Sequence, residues 1–215
     1  SKSSGYRKSS FFIMAVSTCP MEIALRRQLP ALLALLLANG MAFADIRIGV
    51  IASSTGPTAV VGIPQKQTVA LLPTEIGGQK VEYIVLDDAS DPTNAVTNVK
   101  KLIAEQKVDA LIGPTTTPAA LAMLDFVAES KTPLVTTVGS SAIIQPMDDK
   151  KKWVFKTTQN DDLIAEALIE HMTAHGVKTL GFIGFNDPYG ENWFKVFGAM
   201  AEKAGLKLVA SERYN

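Results

Sequence analysis

The sequence has little of the residues on which covalent cross-links and metal sites depend. Its 215 residues include one cysteine and two histidines. Cys19 has no partner within the chain, which excludes the disulfide framework of small secreted domains. His171 and His175 would share one face of a helix, but no Asp, Glu or Cys stands at a spacing that would complete a metal site. We interpret them as surface histidines near a helix end.

Familiar cofactor and catalytic motifs are also missing. The chain has no G-x-G-x-x-G, no Walker A sequence, no G-x-S-x-G elbow and no C-x-x-C. Asp87, Asp88 and Asp91 lack the glycine and distal glutamate of a calcium loop, so we interpret them as a strand-end turn and a helix cap. The formal net charge is zero, without the basic excess of nucleic-acid-binding domains. We expect no cofactor, no metal, no nucleic-acid partner and no enzymatic activity.

The beginning of the chain has the pattern of an export signal. Residues 21–44 contain two arginines, then an apolar stretch, then the small-residue motif Ala42-Phe43-Ala44. This order predicts a secretory signal peptide cleaved after Ala44, and a buried amphipathic helix is the alternative. Residues 1–20 precede a plausible start methionine and are expected to be a disordered upstream extension. A lipoprotein signal ending at Cys19 is the alternative for that stretch.

From residue 45 onward, continuous apolar stretches alternate with stretches of helical periodicity. Apolar strands separated by helices form βαβ units, and such units build parallel sheets covered on both faces. The sequence therefore predicts an α/β fold. Strands are predicted at 46–52, 81–87, 108–113, 132–138, 153–158, 179–185 and 206–214, and helices at 65–72, 92–107, 118–130, 162–176 and 191–205.

A run of three threonines, residues 115–117, lies between a predicted strand and a predicted helix. Helix capping is the simple interpretation, since threonine is a fair N-cap. The alternative is a binding site, because hydroxyls and free backbone N–H groups at a helix N-terminus attract anions. The predicted strand ends at 53–57, 136–141 and 185–190 are also rich in turn or hydroxyl residues. The carboxyl ends of parallel strands share one edge, so the pattern favours a binding site, which Tyr189 could cover.

Six segments, taken in order, resemble the solute-binding proteins of branched-chain amino acid ABC transporters. They read "DIRIGVIASSTGPTAVVG", "DDASDPTNAV", "IGPTTTPAALA", "TPLVTTVGSSA", "VFKTTQND" and "NDPYGENW", after the signal peptide. The resemblance covers residues 45–215. It implies a type I periplasmic binding fold, in which two Rossmann-like lobes joined by hinge strands close on a small ligand.

The resemblance also implies the domain organisation. It places an N-terminal ligand-binding lobe at 45–158 and part of a C-terminal lobe at 159–215. The family's second lobe continues further, so we expect a C-terminally truncated chain with an incomplete second lobe. Apolar side chains of this part, from Phe182 to Phe197, are then expected to be exposed.

Five ligand-binding residues follow from the resemblance. Thr117 is expected to contact the ligand carboxylate, while the other two threonines shape the turn and cap the helix. Val138 corresponds to a backbone contact and Ser140 to a hydroxyl contact. Asp161 is expected at the edge of the cleft, and Tyr189 is the aromatic residue from the second lobe.

Three positions depart from the family pattern. Val61 stands where some members have a tyrosine over the ligand. Ser90 and Thr116 stand where some have a disulfide, in agreement with the lack of cysteines. The first helix is also short. These departures leave the pocket for the ligand side chain undetermined.

The function implied by the resemblance is transport. The protein is expected to bind an amino acid or small carboxylate in the periplasm and to deliver it to a membrane permease. A ligand-sensing receptor or regulator domain of the same fold is the alternative. A third possibility, an exported α/β enzyme, lacks a catalytic constellation in the sequence.

Export is directly testable. If residues 21–44 are a signal peptide, mass spectrometry of the periplasmic fraction should find a mature protein whose N-terminus is Asp45. A stable cytoplasmic product that begins upstream of Met21 contradicts this prediction.

Overall fold

The computed structural model describes residues 45–215. The predicted upstream extension and signal peptide lie outside the described residues. Within 45–215, no helix has the length and apolar character needed to cross a membrane.

The first part of the described chain is a six-stranded sheet flanked by helices. Its elements are β1 (Ile46–Ala52), α1 (Ala59–Val69), β2 (Glu75–Ile76), β3 (Gln79–Asp87), α2 (Pro92–Lys100), β4 (Ala110–Ile112), α3 (Thr117–Ser130), β5 (Leu134–Thr136) and β6 (Val154–Lys156). A π-helical turn, Lys101–Glu105, extends α2, and a short 3-10 helix, Ser141–Ile143, follows β5.

The strand order in this sheet is β2-β3-β1-β4-β5-β6. All neighbours are parallel except β2 and β3, which form a hairpin that the sequence analysis did not predict. The chain runs from β1 outward to β3 and then returns to β4 on the other side of β1. The reversal creates a switch point beside the carboxyl end of β1, where ligands of such sheets bind.

The second part of the described chain forms a smaller sheet. Its elements are α4 (Asp161–Ala174), β7 (Thr179–Phe185), α5 (Pro188–Lys203) and β8 (Lys207–Tyr214), and the two strands are parallel. Helix α5 begins three residues before its predicted start, because Asp187 accepts a hydrogen bond from the Gly190 N–H and Pro188 occupies the first turn.

Helix α1 was predicted at 65–72 but begins at Ala59 and ends at Val69. The helix has little amphipathic pattern, since Gly62 is its one buried residue, and it contains Pro64. The start is instead stabilised by a tertiary contact, since the backbone of Gly62 lies against the carbonyl of Ser53. A contact between distant segments therefore overrides local propensity here.

Each sheet has its own apolar cluster. The larger cluster packs α2 and α3 against the first sheet and includes Leu102, Leu111, Met123 and Leu134. The smaller cluster joins α4, α5 and the start of β8. The expected exposure of the second part holds for Ile183, which is 72% exposed, but not for Phe197, which is 8% exposed because α4 packs over that side of α5.

Substitutions at two glycines test whether the close contact between Gly62 and Ser53 requires glycine, since Gly198 in α5 has no such contact. A Cβ at Gly62 would lie 2.0 Å from the carbonyl oxygen of Ser53, whereas a Cβ at Gly198 in α5 would meet nothing within 4 Å. In the complete gene product, Gly62→Ala should lower the free energy of unfolding by roughly 1–3 kcal/mol. Gly198→Ala should raise it by about 0.5–1 kcal/mol, because glycine is a poor helix former. Thermal unfolding followed by circular dichroism checks both, and equal shifts would contradict the contact.

Candidate functional site

A cavity of about 550 Å³ lies at the carboxyl ends of the strands. All four loops that the sequence analysis singled out contribute to its wall. The side chains come from the segments after β1, β3, β4, β5, β7 and β8. The lining consists of Pro57, Thr58, Val61, Gln65, Ser90, Pro92, Thr115, Thr116, Thr117, Pro118, Thr137, Val138, Gly139, Phe185, Asn186, Asp187, Tyr189, Tyr214 and Asn215.

Three of the five predicted ligand-binding residues line this cavity. Thr117 and Val138 are both buried and lie on the side of the first sheet, and Tyr189 lies at the start of α5. Ser140 and Asp161 are buried but do not line the cavity. The structure thus brings Thr117, Val138 and Tyr189 to one space and places Ser140 and Asp161 behind it.

The three threonines have different environments. The Thr115 hydroxyl accepts a hydrogen bond from the Ser53 N–H at 2.9 Å and donates to the Gln65 side chain at 2.6 Å. Thr116 occupies the N-cap position of α3, but its hydroxyl makes no capping hydrogen bond, and its buried Oγ1 has no partner among the described residues. The expected cap is therefore wrong. Thr117 is the first residue of the helix and faces the cavity.

The side chain of Ser140 stabilises the backbone next to the cavity. Its Oγ accepts a hydrogen bond from the Ala142 N–H at 3.2 Å and so caps the short 3-10 helix. The cap directly follows Val138 and Gly139, which line the cavity.

Asp161 joins two helices of the second part. Its Oδ2 accepts a hydrogen bond from Asn192 Nδ2 of α5 at 2.5 Å, while its buried Oδ1 has no partner within 45–215. Burial raises the pKa of Asp161, and the hydrogen bond from Asn192 opposes that shift. The Ser141 N–H also lies close enough to lower the pKa of this carboxyl, so Asp161 is held both from α5 and from the segment after β5.

Tyr189 packs directly on the backbone at Gly139. A Cβ at Gly139 would lie 3.0 Å from the Tyr189 ring and 3.5 Å from Asp161 Oδ1, so a side chain at position 139 would displace the Tyr189 ring. Burial raises the pKa of the Tyr189 phenol, and the charges of Asp161 and Asp187 act in the same direction. The phenol is therefore neutral at pH 7 and offers one hydroxyl and one apolar ring face.

Gln65 is a cavity residue that the sequence analysis missed. Its carboxamide contacts Thr115 and also Thr137, whose hydroxyl lies 3.1 Å from Gln65 Nε2. The only sequence signal was a polar residue on a short helix, and because the start of α1 was misplaced, the face that carries Gln65 could not be identified.

The turn after β3 is fastened to the turn after β1. Ser53 Oγ donates to Asp88 at 2.6 Å, and Thr55 Oγ1 donates to Asp87 at 2.7 Å. The hydroxyls of Thr58 and Ser90 are 2.7 Å apart. Ser90, one of the two positions at which the resemblance implied a disulfide in some members, is thus held by hydrogen bonds.

The cavity wall has few charged side chains. No Lys, Arg or His lies among its described lining residues, and its one acidic side chain, Asp187, already caps α5. Across 45–215, no group of three or more His, Cys, Asp or Glu side chains could hold a metal ion. Hydroxyls, three carboxamides, backbone N–H groups and aromatic rings remain, which suits recognition of a small molecule.

Comparison with known proteins agrees with this geometry. A family model described as "Periplasmic binding protein" matches residues 45–215. The chain is 29% identical over 175 residues to "Leu/Ile/Val-binding protein homolog 3" of Brucella melitensis biotype 1, an alignment that covers 78% of this chain and 47% of that protein. It is 26% identical to "Leu/Ile/Val-binding protein BraC3" of Rhizobium johnstonii, with 80% and 48% covered.

The chain is also similar to a solved structure of a ligand-binding receptor. The crystal structure of an extracellular ligand-binding receptor from Rhodopseudomonas palustris HaA2 is 49% identical, with a TM-score of 0.77, and the match covers 80% of this chain and 47% of that one. The chain thus spans about half the length of the curated relatives it matches. These relatives are solute-binding proteins and not enzymes, as the sequence analysis predicted. The family match and the parallel sheets together assign the chain to the periplasmic binding proteins of the type I fold.

Proposed function

We propose that the complete protein is the periplasmic substrate-binding component of an ABC transporter. It binds an amino acid or a small carboxylate in a cleft between two lobes and delivers it to a membrane permease. The observation that carries this proposal is the position of the cavity, at the carboxyl ends of six strands and beside the switch point at β1.

In this proposal the ligand carboxylate lies at the N-terminus of α3. Thr117 donates its hydroxyl, and Pro118, the next residue, has no N–H that needs a partner. Val138 contributes backbone contacts from the neighbouring strand end, after β5, and Tyr189 covers the ligand with its ring. Ser140 fixes the segment behind Val138, and Asp161 accepts a hydrogen bond from the ligand or from a water between them.

The two lobes of the proposal are residues 45–158 and residues from 159 onward. The separate sheets and separate apolar clusters of the two parts support this division. Closure of one lobe on the other would bury the ligand between Thr117 and Tyr189.

The proposal includes export to the periplasm by the signal peptide, with cleavage after Ala44. The names of the curated relatives support branched-chain amino acids as the first ligands to test. Aromatic acids belong in the same screen, since Phe185, Tyr189 and Tyr214 line the cavity.

Thermal-shift measurements on the complete gene product test the function. The panel should include leucine, isoleucine, valine, benzoate and hydroxybenzoates. A ligand present at 100 times its Kd should stabilise the folded protein by about 2.7 kcal/mol. If no amino acid or carboxylate raises the melting temperature, the proposed ligand class is wrong.

The Thr117 hydroxyl can be tested with two matched variants. Thr117→Val keeps the shape but removes the hydrogen bond, and should weaken binding of the ligand found in the screen by roughly 1–3 kcal/mol. Thr117→Ser keeps the hydroxyl and should bind almost as tightly as wild type. Isothermal titration calorimetry measures both, with Thr173→Val on the exposed side of α4 as the control. Wild-type affinity in Thr117→Val would remove this residue from the site.

A further inference from the structure

The carboxamide of Gln65 connects three strand ends at the wall of the cavity. Gln65 Oε1 accepts a hydrogen bond from Thr115 Oγ1, which follows β4, at 2.6 Å. Gln65 Nε2 donates to Thr137 Oγ1, which follows β5, at 3.1 Å. Through Thr115, the same group is linked to the N–H of Ser53, which follows β1, at 2.9 Å.

The direction of every hydrogen bond in this network is determined. Thr137 Oγ1 donates its one proton to the carbonyl oxygen of Pro114 at 3.1 Å, so it can only accept from Gln65. Thr115 Oγ1 accepts from the Ser53 N–H and therefore has its one proton free to donate to Gln65. A flipped carboxamide would break both contacts, so the amide has a single orientation.

This arrangement decides which hydroxyls remain for a ligand. The protons of Thr115 and Thr137 both lie on protein acceptors and are not free to bind a carboxylate. Gln65 itself lines the cavity and has a second N–H that donates to none of the described residues. The side-chain donors left next to this network are therefore Thr116, Thr117 and the second N–H of Gln65.

We propose that Gln65 is a positioning and specificity residue. It fixes the 115–117 loop so that Thr117, not Thr115, meets the ligand, and it presents a neutral N–H to the ligand carboxylate. The statements about the ligand rest on the proposed function. The statement that Gln65 fixes the 115–117 loop does not.

Two variants of near-equal size test it. Gln65→Met removes both hydrogen bonds. Gln65→Glu keeps an acceptor for Thr115 but cannot donate to Thr137 when ionised, and it places a negative charge at the cavity wall. Gln67→Met and Gln67→Glu make the same changes at an exposed position of the same helix and serve as controls.

The positioning role is measured without ligand, by hydrogen–deuterium exchange of the complete gene product. The Ser53 amide is a direct reporter, since it donates to the hydroxyl that Gln65 holds. In Gln65→Met, exchange at Ser53 and in residues 113–117 should be about tenfold faster than in the Gln67 variants. Unchanged exchange in both Gln65→Met and Gln65→Glu would overturn the positioning role.

The specificity role is measured as the Kd of L-leucine and of 4-hydroxybenzoate between pH 4.5 and 8. At pH 8, Gln65→Glu should bind each probe about tenfold or more weakly than Gln67→Glu does, because the carboxylate of residue 65 repels the carboxylate of the probe. As the pH falls towards the usual Glu pKa of about 4.3, the carboxyl gains a proton and the ratio should approach one. A ratio that does not change with pH would overturn the contact between residue 65 and the ligand.

Failure of the proposed function can be distinguished from failure of the positioning role of Gln65. If wild type binds neither probe, nor any ligand of the screen, the proposed function is wrong and the specificity role of Gln65 is wrong with it. The exchange experiment still decides the positioning role in that case.

Discussion

The close approach of two backbone segments to the end of β1 is the constraint on which the rest of the site depends. A Cβ at Gly113 would lie 2.0 Å from the carbonyl oxygen of Ile51, and a Cβ at Gly62 would lie equally close to that of Ser53. Only glycine permits these contacts, and Gly113 also has a positive φ of 106°. They bring α1 and the loop after β4 to the same strand end, so that Gln65 on α1 reaches Thr115 in that loop.

Polar contacts then fasten the neighbouring turns to this edge. Ser53, Thr55 and Thr58 reach Asp88, Asp87 and Ser90 across the gap between β1 and β3. Burial alone would raise the pKa of Asp87, but hydrogen bonds from Thr55 and Ala89 lower it below its usual value, so the carboxylate is held ionised. These contacts hold the turns beside the cavity in place, and rigid binding-site walls reduce the entropy lost on binding.

The opposite wall depends on the packing of α5 against its sheet. The guanidinium of Arg213 lies over the rings of Phe182 and Phe194, 5.0 and 4.4 Å from their centroids, and pairs with Glu191 in the first turn of α5. These contacts fix the N-terminal end of the helix, and Asp187 caps it. Tyr189 is presented from this fixed end towards Gly139.

The sequence by itself determined the class of fold and part of the site. Apolar stretches such as 46–52 and 179–185 predicted strands correctly, because strands of parallel sheets have a continuous apolar pattern. Only the first of the two is buried along part of its length, since no residue of β7 is buried. The threonine run at 115–117 and Tyr189 could be named as candidates, because residues that follow parallel strands gather at one edge of the sheet. The choice of Thr117 within that run came from the family resemblance. Asp91 and Pro92 likewise marked the start of α2, since a cap is a local signal.

Tertiary structure alone decided the remainder. Helix α1 begins where Gly62 meets Ser53, and Gln65 becomes part of the cavity wall only because Thr115 and Thr137, 50 and 72 residues away, come within hydrogen-bonding distance. The hydroxyl of Thr116 caps nothing, although its position and residue type suit a cap. Contacts between segments far apart in the chain leave no periodicity or spacing in the sequence, so only the assembled sheet could reveal them.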